Sequence, residues 1–171
     1  MENLKDYVRS IPDFPKKGIL FRDITTLLKE GKIFKKVIDK LARYYKDKGI
    51  ERVVVIESRG FVIGSALAYK LGAGVVLIRK KGKLPAKTVS IKYELEYGFD
   101  TLEMHYDAIE PGMKVLIVDD LLATGGTARA TLNLVKKRKG KVVGFCFLIE
   151  LTDLKGRRKL KGYDVYSLIK Y

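Results

Sequence analysis

The densest group of chemistry-capable residues is the string VDDLLATGGT, Val118–Thr127. Two adjacent carboxylates are followed by small residues, a Gly-Gly pair and two threonines. Glycine lets a backbone turn successive N–H groups toward one point and lets a ligand come close. A helix opening after such a loop adds unpaired N–H donors and the positive end of its dipole. Ala123, Thr124, Gly125, Gly126 and Thr127 are therefore a candidate cradle for a monophosphate. Asp119 and Asp120 would repel phosphate, but carboxylates accept hydrogen bonds from sugar hydroxyls. A phosphorylated ribose satisfies both halves. A lone Asp here would read as a turn or cap residue; the whole string argues for a site. It is not a Walker loop, since GxxxxGK[ST] is absent, and Gly72 and Gly74 precede a strand and form an ordinary turn.

Three further segments carry charge that chemistry could use. In ESRGF (Glu57–Phe61), Arg59 beside Gly60 at a strand end can hold an anion bidentately. RKKGKLPAKT places Arg79, Lys80, Lys81, Lys83 and Lys87 within nine residues. Alone, such a run reads as a solvated loop. At a ligand-binding edge it would instead stabilise a polyanionic leaving group and exclude water. In TLEMH, strand alternation puts Thr101, Glu103 and His105 on one face and Leu102 and Met104 on the other. Glu103 is a candidate general acid/base. His105, the sole histidine, is its rival, though a lone strand histidine reads as structural.

Strands and helices must position these groups. Leu4 and Val8 suggest a short opening helix, and Ile33, Phe34, Val37, Ile38 and Leu41 give helical spacing over Gly31–Lys48. RVVVI (Arg52–Ile56) is a buried β-branched strand after the helix stop at Gly49. A helix over Phe61–Leu71 and a strand over Gly74–Ile78 follow. Two strands near Val89–Tyr93 and Leu102–His105 turn at Gly98. Val115–Val118 is a strand, Thr127–Lys139 a helix, Val142–Ile149 a strand, and Val165–Ile169 an edge strand. Strands alternating with helices predict an α/β fold with a mostly parallel, twisted sheet flanked by helices. Ligands then sit beyond the carboxyl ends of the strands, where the charged segments lie.

Composition sets outer bounds. The 171 residues, 47% of them apolar, suit one folded domain over 1–171. No apolar run approaches the ~18 residues of a membrane span, and the first fifteen residues lack a signal-peptide core. One cysteine, Cys146, excludes an internal disulfide and a cysteine zinc cluster. The expectation is a soluble, cytoplasmic protein. Thirty-five Lys and Arg against 20 Asp and Glu give +15, which suits a polyanionic partner. The 25 Lys, absence of Gln and two Asn are equally a thermophile signature, so charge alone does not identify the partner.

VDDLLATGGT resembles the 5-phosphoribosyl-1-pyrophosphate (PRPP) motif of type I phosphoribosyltransferases. FRDIT (Phe21–Thr25), ESRGF, RKKGKLP (Arg79–Pro85), LEYG (Leu95–Gly98), LEMH (Leu102–His105) and ELTDLKGR (Glu150–Arg157) extend the resemblance along nearly the whole chain. Together they narrow it to the adenine-using branch of that family. The resemblance implies that fold, with a short N-terminal hood segment and a flexible lid loop, and conversion of adenine and PRPP to AMP and pyrophosphate in purine salvage. It also implies pyrophosphate contacts from Ser58 and Arg59, in a segment that often holds a non-proline cis peptide. Arg79, Lys83 and Lys87 are assigned to pyrophosphate in the lid, with Arg79 a candidate to serve a neighbouring subunit. Glu103 is assigned the acid/base role. Leu20, Phe21 and Arg22 are implied for adenine, with Leu121 at its opposite face. No permanent metal is expected; Mg²⁺ would arrive with PRPP. A homodimer with no nucleic-acid or membrane partner is implied. Two alternatives are the same scaffold acting on a 6-oxopurine, and a nucleotide-binding regulator that holds nucleic acid. Ala86, Lys87 and the lysine-rich end of the helix at Lys136–Lys139 depart from the family pattern.

Overall fold

In the computed structural model, which describes residues 3–94 and 98–171, the chain divides into two units, Met1–Lys40 and Leu41–Tyr171. In the first, a 3-10 turn (Leu4–Tyr7) takes the place of the expected opening helix. It leads to β1 (Arg9–Ile11), which pairs antiparallel with β2 (Phe21–Asp23). Short α1 (Thr25–Leu28) and the start of α2 (Gly31–Tyr45) follow. Asp23 ties this unit together. One carboxylate oxygen accepts from the Arg9 guanidinium at 2.5 Å, and the other accepts the Thr25 N–H and hydroxyl at 2.9 and 2.7 Å. Arg9 first and Thr25 second lower the Asp23 pKa to about 2.

The second unit is built on β3 (Arg52–Ile56). Val53, Val54 and Val55 have no exposed surface, as a strand covered on both faces requires. After β3 come α3 (Arg59–Leu71), β4 (Gly74–Lys80), β5 (Thr88–Glu94), β6 (Phe99–His105), β7 (Lys114–Leu122), α4 (Gly126–Lys137), β8 (Lys141–Glu150) and β9 (Asp164–Lys170). The sheet order is β5-β6-β4-β3-β7-β8-β9. Strands β4, β3, β7, β8 and β9 run parallel. The β5–β6 hairpin is antiparallel and joins at β4 through Arg79↔Glu103 and Lys80↔Leu102. This is the expected mostly parallel α/β sheet, with β9 at its edge.

From β3 the chain crosses through α3 to β4 on one side. From β7 it crosses through α4 to β8 on the other. The adjacent carboxyl ends of β3 and β7 therefore flank a topological switch point, where open α/β sheets bind ligands. Two glycines press α3 onto the sheet there. A Cβ at Gly64 would overlap Val55 Cγ1, and one at Gly60 would lie 2.7 Å from Asp119 Oδ1. Around the sheet, Ile56, Ile78, Met104, Ile117, Leu132 and Phe145 belong to one buried apolar cluster.

One boundary differs from expectation in a way that matters. The apolar run suggests that β7 stops at Val118, yet it continues to Leu122. Its partner β8 supplies the reason, with register pairs Asp119↔Phe147, Leu121↔Ile149 and Leu122↔Glu150. The two carboxylates thus stand on a hydrogen-bonded strand end and not on a loose loop.

Candidate active site

The switch point opens into a pocket of about 520 Å³, within the range of small-molecule sites. Its floor comes from the two strand ends and the helix between them: Glu57 and Ser58 after β3, Arg59 at the start of α3, and Asp119, Asp120 and Leu121 on β7. Its far wall is Lys80 of β4 with Tyr93, Asp100 and Leu102 of the β5–β6 hairpin. A smaller hollow of about 80 Å³ adjoins it, lined by Ala123, Thr124, Gly125, Gly126 and Thr127. Thr127, Asp119 and Leu121 border both. The candidate phosphate cradle and the candidate ribose acids are thereby neighbours.

Gly125 takes φ +78° as the residue before α4, a left-handed conformation that glycine adopts without steric cost. No side chain caps the α4 N-terminus, so its first N–H groups are available to an anion. The two acids differ in environment. Asp120, 5% exposed, accepts from Arg59 Nε at 2.6 Å. Asp119 accepts the backbone N–H of Asp120 at 2.9 Å. Burial first and the neighbouring Asp120 charge second push the Asp119 carboxyl well above its ordinary range. Carboxyl oxygens placed side by side on one strand end can accept hydrogen bonds from the neighbouring hydroxyls of a ribose.

The basic segment is arranged around Glu57. That carboxylate accepts from Arg79 Nε at 3.0 Å and from the Lys80 N–H at 3.0 Å, and Lys83 Nζ lies 3.3 Å away. Burial alone would raise its pKa, but the Lys80 N–H, Arg79 and Lys83 together hold it below the ordinary value. Lys80 pairs with Asp100 at 3.1 Å. Tyr93, whose side chain bonds to Thr127, has its hydroxyl pKa raised, mainly by burial. The Glu57–Ser58 peptide is cis, in the segment where the resemblance implies such a bond.

Several sequence-assigned residues meet here, and others do not. Ser58, Arg59, Asp119, Asp120 and Leu121 line the main pocket, and Ala123 to Thr127 line the adjoining hollow. Arg79 and Lys83 reach the site through Glu57. Lys87 instead rests its ammonium over the Tyr106 ring, 4.5 Å from the centroid, and is not among the pocket-lining residues. Glu103 is likewise not among the pocket-lining residues. Leu102 and Asp100 face the pocket, so alternation turns Glu103 to the opposite side of β6. There it is 7% exposed and accepts the Gly82 N–H at 2.9 Å. Glu103 staples the turn after β4. His105 shares its face, with Nε2 buried and unbonded. Leu20, Phe21 and Arg22 lie in the first unit. Leu20 is exposed there, Phe21 meets Phe14 edge-on at 5.1 Å, and Arg22 Nη1 donates to Ser10 Oγ at 2.5 Å. Of the LEYG motif, residues 95–97 lie outside the described residues.

Sequence reasoning passed over Glu57, Lys80, Tyr93 and Asp100 as site residues. Glu57 had a signal, since it is the first residue beyond a buried strand. Tyr93 and Asp100 had none, because their position depends on the hairpin pairing beside β4.

A sheet with its switch point between β3 and β7, bearing a glycine-rich hollow beside paired acids, has the form expected of an enzyme acting on a sugar phosphate. The phosphoribosyl transferase domain family matches residues 23–170, and the chain belongs to that family. Among its relatives, the adenine phosphoribosyltransferase of Trichlorobacter lovleyi is 58% identical over the full length of both chains. The crystal structure of adenine phosphoribosyltransferase from Thermoanaerobacter pseudethanolicus superposes with a TM-score of 0.95 at 54% identity, covering 98% of this chain and 97% of that one. The Saccharomyces cerevisiae enzyme, solved with an imino-altritol bisphosphate and adenine, gives 0.91 at 41% identity over 96% of both chains.

Proposed function

We propose that this chain transfers the 5-phosphoribosyl group of PRPP to adenine, forming AMP and pyrophosphate in purine salvage. The observation that carries it is the glycine-rich hollow of Ala123–Thr127 adjoining the Asp119–Asp120 pair at the switch point. The yeast relative, solved with adenine and a bisphosphate sugar analogue, supports the same substrate pair. The chain acts as one phosphoribosyltransferase domain.

The N–H groups of Ala123–Thr127 hold the 5-phosphate, and Asp119 and Asp120 hold the 2- and 3-hydroxyls. Adenine N9 bonds to the anomeric carbon as the carbon–oxygen bond to pyrophosphate breaks, its electron pair leaves with pyrophosphate, and the N9 proton is lost. Positive charge builds on the sugar during this exchange, and carboxylate charge on the adjoining β7 end stabilises it electrostatically. Ser58, Arg59, Arg79 and Lys83 receive the leaving pyrophosphate. Leu121, on the pocket lining, is proposed for one face of the base; Leu20, Phe21 and Arg22 keep the adenine role that the family resemblance implies for them.

Among the described residues no three His, Cys, Asp or Glu side chains are grouped to hold a metal. Glu57 already accepts from Arg79 and the Lys80 N–H, and Asp120 from Arg59, which suits Mg²⁺ arriving with PRPP and held mainly by substrate and water oxygens. Bound so, it would neutralise pyrophosphate charge. We further propose a homodimer. Val62 and Tyr69 lie seven residues apart on α3, and Val75 and Leu77 alternate on β4; all four are exposed, Tyr69 at 89%. Such apolar surface suits a second copy, and mass in solution tests it. Among the described residues no helix is long and apolar enough to cross a membrane. We propose a cytoplasmic site of action, in keeping with the single, free and buried cysteine.

The test is PRPP-dependent turnover with adenine, hypoxanthine, guanine and xanthine in parallel. AMP formation from adenine is expected. Preference for a 6-oxopurine overturns the base assignment, and absence of PRPP turnover with every base overturns the reaction.

A further inference from the structure

An ion pair behind the phosphate loop, its carboxylate buried and its guanidinium partly exposed, is not used by the chemistry above. Glu150, the last residue of β8, is 5% exposed. Arg157 grips it in a fork, Nε to Oε1 at 3.0 Å and Nη2 to Oε2 at 2.5 Å. The Ser167 hydroxyl donates to the same Oε2, and Arg157 Nη1 donates to the Val165 carbonyl at 2.6 Å. Arg157 is therefore tied to the ends of two adjacent strands, β8 and β9.

The residue before Arg157 is Gly156, and it is buried against the phosphate loop. A Cβ on Gly156 would overlap the Ala123 carbonyl oxygen and lie 2.9 Å from the Gly125 nitrogen. Reciprocally, a Cβ on Gly125 would lie 2.5 Å from the Gly156 carbonyl oxygen. Two backbones meet here with no side chain between them. Any shift of residue 156 is transmitted to the loop.

We infer that Glu150 and Arg157 are positioning residues for PRPP: through Gly156 they brace Ala123–Gly125 and aim the loop's N–H groups at the 5-phosphate. The inference rests on the phosphate reading of that loop. Neither side chain touches substrate. An ion pair with a partly exposed guanidinium adds little net stability. A guanidinium fork bonded to a carboxylate and a carbonyl fixes direction, which apolar packing would leave loose.

The experiment compares steady-state kinetics of wild type, Arg157→Lys and Gly156→Ala, with PRPP and adenine varied separately and melting temperature recorded. Arg157→Lys keeps the charge and loses the fork; Gly156→Ala keeps the ion pair and displaces the contact. The KM for PRPP should rise about tenfold in Arg157→Lys and further in Gly156→Ala, while kcat and the adenine KM stay within about twofold. Lower melting temperatures with both KM values unchanged would show a purely structural pair and overturn the inference, as would a parallel rise in both KM values. If Arg157→Lys does not fold, Gly156→Ala decides alone. Wild type without PRPP turnover would defeat the functional reading itself; wild type that turns over normally with variants to match would defeat only the bracing.

Discussion

The glycine-rich loop and the basic segment after β4, both proposed to hold anions, are built in opposite ways. The loop offers backbone N–H groups on fixed geometry: Asp119 and Asp120 stand on a paired strand, Gly125 is held at φ +78°, and Gly156 backs the turn. The basic segment offers side chains that already have counter-charges. Arg79 and Lys83 face Glu57, Lys80 faces Asp100, and Lys87 lies over Tyr106. Fixed dipoles suit a phosphate that stays on the molecule through the reaction. Exchangeable ion pairs suit a group that must be gripped and then released.

If that contrast is right, damage to the loop should cost far more than damage to any one cation. Gly125→Val combines a strained φ with a clash against the Gly156 carbonyl. It should lower kcat/KM for PRPP by about 100-fold or more, on the order of 3 kcal/mol of transition-state binding, and a tenfold or smaller loss would break the comparison. Asp119→Asn should separate binding from stability. The raised carboxyl pKa means that Asp119 contributes its stability below its unfolded value, near 3.8, and loses it as pH rises through the elevated folded value. The variant should therefore melt at a higher temperature than wild type at pH 8 but not at pH 3, while PRPP affinity falls roughly 30-fold. Melting curves at the two pH values decide it.

Smaller effects are expected on the cation side. Lys83→Ala should raise the inhibition constant of inorganic pyrophosphate by about threefold to tenfold, with the difference shrinking as salt screens half-exposed charges. A 100-fold change would show that Lys83 is no exchangeable partner. Glu103→Gln preserves an acceptor for the Gly82 N–H and should leave kcat within about threefold of wild type. Loss of turnover with an unchanged fold would restore an acid/base role to Glu103 against its orientation.

The central sheet was legible because its strands are buried on both faces. RVVVI announces itself by β-branched runs, and the glycine-rich string was legible as a loop opening α4 at Gly126. The end of β7 was not legible, since Asp119 to Leu122 continue the strand only because β8 pairs alongside. Glu103 shows a sharper limit. Alternation sorted β6 correctly into two faces, but which face meets the pocket is decided by the hairpin's attachment to β4. Lys87 reads as one more lid cation until Tyr106 is seen beneath its ammonium. Local pattern states what a residue can do; sheet order states whether it is present where the chemistry occurs.

The glycines at 60 and 64 have a bearing on redesign. Any larger residue at either position would lift α3 from Val55 and Asp119, carrying Ser58 and Arg59 at its leading end away from the floor. That floor leaves no slack for a bulkier sugar donor. An engineer seeking altered substrate scope would do better to vary Tyr93 and Asp100, whose hairpin meets the rest of the sheet along a single strand.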